Sequence, residues 1–205
     1  MSLTRLSLVL LLLFSALPGV DAGSEAVSRR LRDPSELDAP SFEMATEGAY
    51  LLGAFGNPNS YELGAAFVTA RWRWGVNEHE GFWRGYHQVY ALGMAEPIFR
   101  GPENFYYGIS MGFRYNFVQP GSRWNPYVSS GVGLGWIDSH SNIVGAQGQD
   151  FTFNILSAAG VSYRVNDKLK LTFGALYEHF SNGGQTDPNT SLNAFGPQIG
   201  ATWSF

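Results

Sequence analysis

Phe105-Tyr106-Tyr107-Gly108-Ile109-Ser110-Met111-Gly112-Phe113-Arg114-Tyr115-Asn116-Phe117 alternates without a break. Phe105, Tyr107, Ile109, Met111, Phe113, Tyr115 and Phe117 share one face of an extended chain. Tyr106, Gly108, Ser110, Gly112, Arg114 and Asn116 share the other. Successive side chains of a strand point to opposite sides, so period two over this length specifies a sheet with one apolar face and one polar or small face. Two more segments repeat the pattern. Phe151, Phe153, Ile155, Ser157, Ala159, Val161 and Tyr163 oppose Thr152, Asn154, Leu156, Ala158, Gly160, Ser162 and Arg164. Phe195, Pro197, Ile199, Ala201, Trp203 and Phe205 oppose Gly196, Gln198, Gly200, Thr202 and Ser204.

Outward from these, eight segments can be placed, at 49–56, 60–74, 81–96, 103–117, 124–137, 150–164, 168–181 and 193–205. Asn57-Pro58-Asn59, Gln119-Pro120-Gly121-Ser122 and Val165-Asn166-Asp167 separate some of them with good turn chemistry. The 60–74 segment switches phase near Thr69, which predicts a bulge or a shifted boundary there.

Composition narrows the class. Of 205 residues only 15% are charged, whereas about a quarter is usual for a soluble domain. The 25 Gly and 10 Pro argue against a helical bundle. A net charge of -4 gives no electrostatic footprint for nucleic acid. With no Cys, disulfides, thiolate zinc sites, Cys nucleophiles and Cys-linked lipid anchors are excluded. The 4 His form no ligand-spaced cluster, and neither a metal nor a cofactor is expected. Met1–Ala22 has Arg5, an apolar run from Leu6 to Leu17 and Val20-Asp21-Ala22, the pattern of a cleaved signal peptide. Residues 23–43 are polar and read as a periplasmic leader, which leaves 44–205 for the fold.

Eight alternating strands fit two architectures. A soluble barrel turns its apolar face inward, and a membrane barrel turns it outward. Strand length, aromatic residues near the strand ends, and the Gly, Ser, Asn and Arg of the opposite faces favour an eight-stranded antiparallel transmembrane β-barrel of a Gram-negative outer membrane. An even-stranded barrel keeps its termini in the periplasm. The seventh strand then runs outward, and the loops 138–149 and 182–192 lie outside.

That seventh strand carries an anomaly. Leu169, Leu171, Phe173, Ala175 and Tyr177 face lipid, so His179 and Ser181 do as well, at the outer-leaflet end. Polar groups facing lipid are costly and invite a functional reading. Residues i and i+2 lie about 6.5–7 Å apart along a strand. A Ser needs a neighbouring base to become a nucleophile, and His is the usual one. Asn182, Gly183 and Gly184 follow directly, with donors that could form an oxyanion hole. Ordinary strand-end and turn chemistry explains the same residues without catalysis.

The run Tyr177-Glu178-His179-Phe180-Ser181-Asn182-Gly183-Gly184, followed by Asp187-Pro188-Asn189, resembles the signature of the PagL family. Asn125-Pro126-Tyr127-Val128, Gly131 to Trp136 and the aromatic C-terminal strand extend the resemblance more weakly. It implies an eight-stranded outer-membrane lipid A 3-O-deacylase, with His179 as general base, Ser181 as nucleophile, and lipid A of the outer leaflet as partner. A homodimer is a further partner arrangement left open. The family completes its triad with an acid a short way beyond the Ser, and counting along the segment lands on Asn193. Asn can orient an imidazole but cannot stabilise imidazolium by charge. Of the nearby acids, Asp187 lies in the loop and Glu178 alternates onto the lumen face.

The alternative from another class is a non-enzymatic small outer-membrane barrel serving as anchor, adhesin or envelope stabiliser. A third is a soluble lipid carrier with its apolar face inward. Glu62, Glu96, Arg71, Arg73 and Arg114 read as paired charges filling the lumen. His79, His87 and His140 read as turn, wall or loop residues.

Overall fold

The computed structural model describes residues 37, 41–57 and 60–205. The expected signal peptide and most of the expected leader lie outside the described residues. Eight antiparallel strands pair in chain order and close, β1 against β8. They are β1 (Phe42–Gly53), β2 (Glu62–Asn77), β3 (Gly85–Arg100), β4 (Phe105–Phe117), β5 (Trp124–Ile137), β6 (Phe151–Arg164), β7 (Leu169–Ser181) and β8 (Leu192–Ser204).

The apolar face of the alternation turns outward. Ile109 is 57% exposed and Met111 66% exposed, with Val68, Phe113, Val132, Ile155, Phe173 and Ile199 exposed around the same wall. A continuous apolar belt of that extent is not a water-facing surface. It is the lipid face of a membrane barrel. Aromatic clusters band both rims. Tyr107, Trp136, Phe151 and Phe153 make successive contacts at one end. Phe42 contacts both Trp72 and Phe205 at the other, where Trp124 also meets Tyr163. The soluble-carrier reading fails on this outward orientation.

The lumen is solid and has two layers. Toward the outer end, Leu51, Leu63, Phe67, Met94, Tyr106, Leu156, Leu176, Phe180 and Leu192 pack into one apolar core. Glycines opposite make room for the rings: a Cβ on Gly135 would lie 2.6 Å from Tyr106 Cζ, and one on Gly174 2.5 Å from Tyr127 Oη. Toward the inner end the filling is polar. Arg71 Nη2 meets Glu47 Oε1 at 2.7 Å, and Lys170 pairs with Glu43. Gln88 donates to Glu43 at 2.8 Å, Asn116 to Gln88 at 2.8 Å, and Arg114 to Asn116 at 2.9 Å.

Three expectations need correction. The first strand begins at Phe42, not 49, and takes in the end of the expected leader. Its inward positions include Glu43, which fell in the expected leader, and Glu47; both are lumen filling, paired with Lys170 and Arg71. The phase does not switch at Thr69. Leu63, Ala65, Phe67, Thr69 and Arg71 are all buried on the inward face. The apparent switch is the boundary between the apolar and polar lumen layers. The register irregularities of β2 lie at 62–63 and 73–75 instead. Finally, the lumenal charges are not all paired. Glu62 binds Arg100 at 2.7 Å at the outer rim, but Arg114 takes Asn116, Ser162 and the Tyr127 ring as partners. Glu96 lies against Glu178, carboxyl to carboxyl, and neither has a cation beside it among the described residues.

Candidate active site

β7 and β8 pair so that His179 lies opposite Asn193, and β6 places Phe153 opposite Ser181. All lie on the outer wall, because alternation fixes them to the side of Leu171, Phe173 and Tyr177. His179, Ser181 and Asn193 are each half-buried at the outer rim.

The first contact is His179 Nδ1 to Asn193 Oδ1, at 2.8 Å. The chemistry of its neighbours fixes the proton. Asn193 Nδ2 lies 2.9 Å from the Phe55 carbonyl oxygen, which can only accept. The amide NH2 therefore faces Phe55, and Oδ1 faces the imidazole as an acceptor. Nδ1 must then carry the hydrogen, and in the neutral ring Nε2 holds the lone pair. Tyr177 donates its hydroxyl to the same Oδ1 at 2.8 Å.

The backbone of Asn193 is held as firmly as its side chain. Its N–H donates to Asn57 Oδ1 at 2.7 Å, and its carbonyl accepts from Asn57 Nδ2 at 2.7 Å and from the Ala54 N–H at 2.8 Å. The loop between β1 and β2 thus clasps the start of β8. Phe55 has φ of 39°, and Gly56 follows at 78°. A positive φ is strained for a bulky non-glycine residue and persists only where surrounding contacts enforce it.

Structure and sequence expectation part company in the loop after Ser181. Asn182 is buried, and its amide donates to the carbonyls of Thr186, at 2.7 Å, and Pro188, at 3.2 Å. Its backbone N–H is taken by Asn189 Oδ1 at 3.0 Å, and its own Oδ1 accepts the Gly184 N–H at 2.9 Å. Asn182 is therefore the brace of the loop rather than a free donor, and the Gly184 N–H is engaged too. Gly183, exposed with φ of 66°, has no such partner among the described residues. A Cβ there would come within 3.0 Å of the Phe153 ring while the backbone resisted it.

The outer loops brace one another above the lumen. Glu103, itself buried, accepts the Tyr61 hydroxyl at 2.8 Å and the Gln147 N–H at 2.7 Å. Burial, and then the Glu103 carboxylate beside it, push the Tyr61 phenol upward. Gly148 donates to the Pro188 carbonyl at 2.9 Å, which joins the loop after β5 to the loop that carries Asn182.

The structure brings His179 and Asn193 into contact and keeps Ser181 on their face. Among the described residues no carboxylate makes an ion pair with His179, and Glu178 points into the lumen against Glu96. Sequence reading took Tyr177 as one more lipid-facing ring and Asn57 as a turn residue. The spacing of Tyr177 from His179 was an available signal. Nothing local could reveal Asn57, which acts across the barrel seam.

The fold and this rim cluster define a class: a small outer-membrane-type barrel with a tautomer-fixed histidine on its lipid wall. A family model described as lipid A 3-O-deacylase (PagL) matches residues 59–202, and the chain belongs to that family. Two solved structures are similar to it. One, described as the outer membrane enzyme PagL, shares 15% identity with TM-score 0.56 over 75% of this chain and 97% of that one. The other, Neisserial surface protein A (NspA), shares 16% identity with TM-score 0.60 over 80% of this chain and 97% of that one. Among curated proteins none matches.

Proposed function

We propose that this chain is an outer-membrane esterase that removes the 3-O-linked acyl chain of lipid A. Family membership supports the substrate class. The observation that carries the mechanism is the 2.8 Å contact between His179 Nδ1 and Asn193 Oδ1, which leaves Nε2 as the base. Ser181 Oγ attacks the ester carbonyl carbon and its proton passes to His179 Nε2. The tetrahedral oxyanion takes the Gly183 N–H, the donor of the Asn182–Gly184 set that stays unengaged. Collapse breaks the ester bond, and the sugar oxygen leaves with the proton from Nε2. Water, deprotonated by Nε2, then cleaves the acyl-enzyme and frees the fatty acid. Ser181 and His179 sit on the lipid wall at the outer rim, so an acyl chain in the outer leaflet reaches them without crossing the barrel.

The test is mass spectrometry of lipid A from cells expressing this chain or its Ser181→Ala variant. Loss of one 3-linked acyl chain, seen only with Ser181 intact, is the expected result. Unchanged lipid A from a folded, inserted barrel would overturn it. That outcome would favour the second reading, a barrel without chemistry, for which an uncharged Asn193 in the acid's place is the supporting observation. Labelling of Ser181 by a serine-directed acylating probe separates the two.

A further inference from the structure

Asn193 is not simply an acid's place left empty of charge. Three groups converge on its side chain. The Tyr177 hydroxyl and the His179 Nδ1–H both point to Oδ1, each at 2.8 Å. The Phe55 carbonyl oxygen meets Nδ2 at 2.9 Å. The first two suit an amide or a carboxylate equally. The third suits only a donor. A carboxylate of the same shape would bring a second negative oxygen against a carbonyl oxygen, with no proton between them. That carbonyl is aimed by a residue in a strained left-handed conformation, and the same loop grips the Asn193 backbone through Asn57.

We propose that Tyr177, Asn57 and the Phe55 carbonyl form a clamp that makes Asn193 a dedicated neutral orienter of His179 and selects an amide over a carboxylate at that position. Tyr177 and Asn57 are positioning residues. They act through Asn193, and the acyl ester need not touch them. The clamp rests on the esterase reading for its consequence in rate, though not for its geometry.

The geometry has a direct readout. An acceptor on Nδ1 holds the ring in the Nδ1–H tautomer, and without it the proton is free to sit on Nε2. The experiment is 15N NMR of histidine-labelled full-length protein in detergent micelles, above the pH at which imidazole is protonated. The His179 signals are assigned by their loss in His179→Asn. The expected spectrum has a protonated Nδ1 and a bare Nε2 in the unsubstituted protein, and a mixed tautomer in Asn193→Ala, which removes the acceptor. Deacylation of purified lipid A is measured in parallel. Tyr177→Phe is expected to lower kcat three- to tenfold with KM unchanged. Asn193→Asp is expected to lower kcat at least tenfold while folding normally.

A protonated Nε2 in the unsubstituted protein would overturn the clamp, and so would an Asn193→Asp variant as active as the parent or more so. Should Asn193→Asp fail to fold, the Asn193→Ala spectrum and the Tyr177→Phe rate decide, with an unchanged tautomer in the first or an unchanged kcat in the second counting against the clamp. An unsubstituted protein that holds the Nδ1–H tautomer, lost in Asn193→Ala, but leaves lipid A intact would sustain the clamp and sink the esterase reading.

Discussion

Inside the barrel Arg71 meets Glu47 at 2.7 Å, with side chains 4% and 5% exposed, whereas on the outer wall His179 meets an uncharged amide at 2.8 Å. Both contacts orient a nitrogen group by an acceptor, yet one uses charge and the other avoids it. This part of the lumen can hold a carboxylate because the wall supplies its partners. Glu47 has Arg71 and Thr69, and Arg71 has Thr202 in addition. A buried charge is tolerable when paired and hydrogen-bonded, and costly otherwise. At Asn193 no cation is in contact among the described residues, and a carboxylate there would face the Phe55 carbonyl. The comparison teaches that the Arg71 cluster in the lumen holds charge where the seam beside His179 holds only neutral polarity, and that Asn193 fits the second setting.

The largest way to break the comparison is chemical. Ser181→Ala, and separately His179→Asn, should each lower lipid A deacylation by about 10⁴-fold or more with no loss of the folded band on an unheated gel. If the activity survives, the outer cluster is not the reacting one. Next comes Arg71→Met, which leaves Glu47 without its cation. Urea unfolding in lipid vesicles should show a loss of about 3–5 kcal/mol, while activity per folded molecule stays near the parental value. A fall in activity equal to the fall in stability would mean that the two clusters are coupled.

Asn57→Ala removes both side-chain bonds to the Asn193 backbone. It should cost about 1–3 kcal/mol of stability and lower kcat by more than Tyr177→Phe does. The smallest effect concerns a carboxylate at the outer rim, Asp138. Partial burial raises its pKa, but hydrogen bonds from Asn104 and the Phe105 N–H outweigh that and hold it below the ordinary value. A lowered carboxylate pKa stabilises the fold above the unfolded value and stops doing so as pH falls through the folded one. Acidification through that window should therefore raise amide exchange at Asn104 and Phe105, and Asp138→Asn should remove the pH dependence.

The strands were legible where alternation is clean. β5 has the expected bounds, 124–137, and β4, β6, β7 and β8 fall within two residues of theirs. β3, at Gly85–Arg100, runs four residues later at each end than the expected 81–96. β1 and β2 were the least legible, and the reason is common to these two. Alternation marks a strand by contrast between its faces, and the contrast failed wherever the lumen face changed character. Glu43 was read as leader and Glu47 fell before the expected first strand, while Leu63, Ala65 and Phe67 made β2 seem to change phase. The candidate site was legible in part for a related reason. His179 and Ser181 share a strand, so spacing alone puts them on one face. Asn193 could be reached only by resemblance, since it lies on the next strand. Asn182 was misjudged as a free donor because its role depends on how a ten-residue loop folds back on it.

By itself the sequence determined the period, the apolar belt, the strand that carries His179 and Ser181, and the side of the wall they occupy. Those follow from residue order, because a strand's alternation is a local property. Only the tertiary structure decided that Asn193 meets His179, that Phe55 and Asn57 reach it across the seam between β1 and β8, and that Arg71 finds Glu47. Each of these joins residues on different strands, so it depends on register and closure, which no stretch of sequence specifies alone.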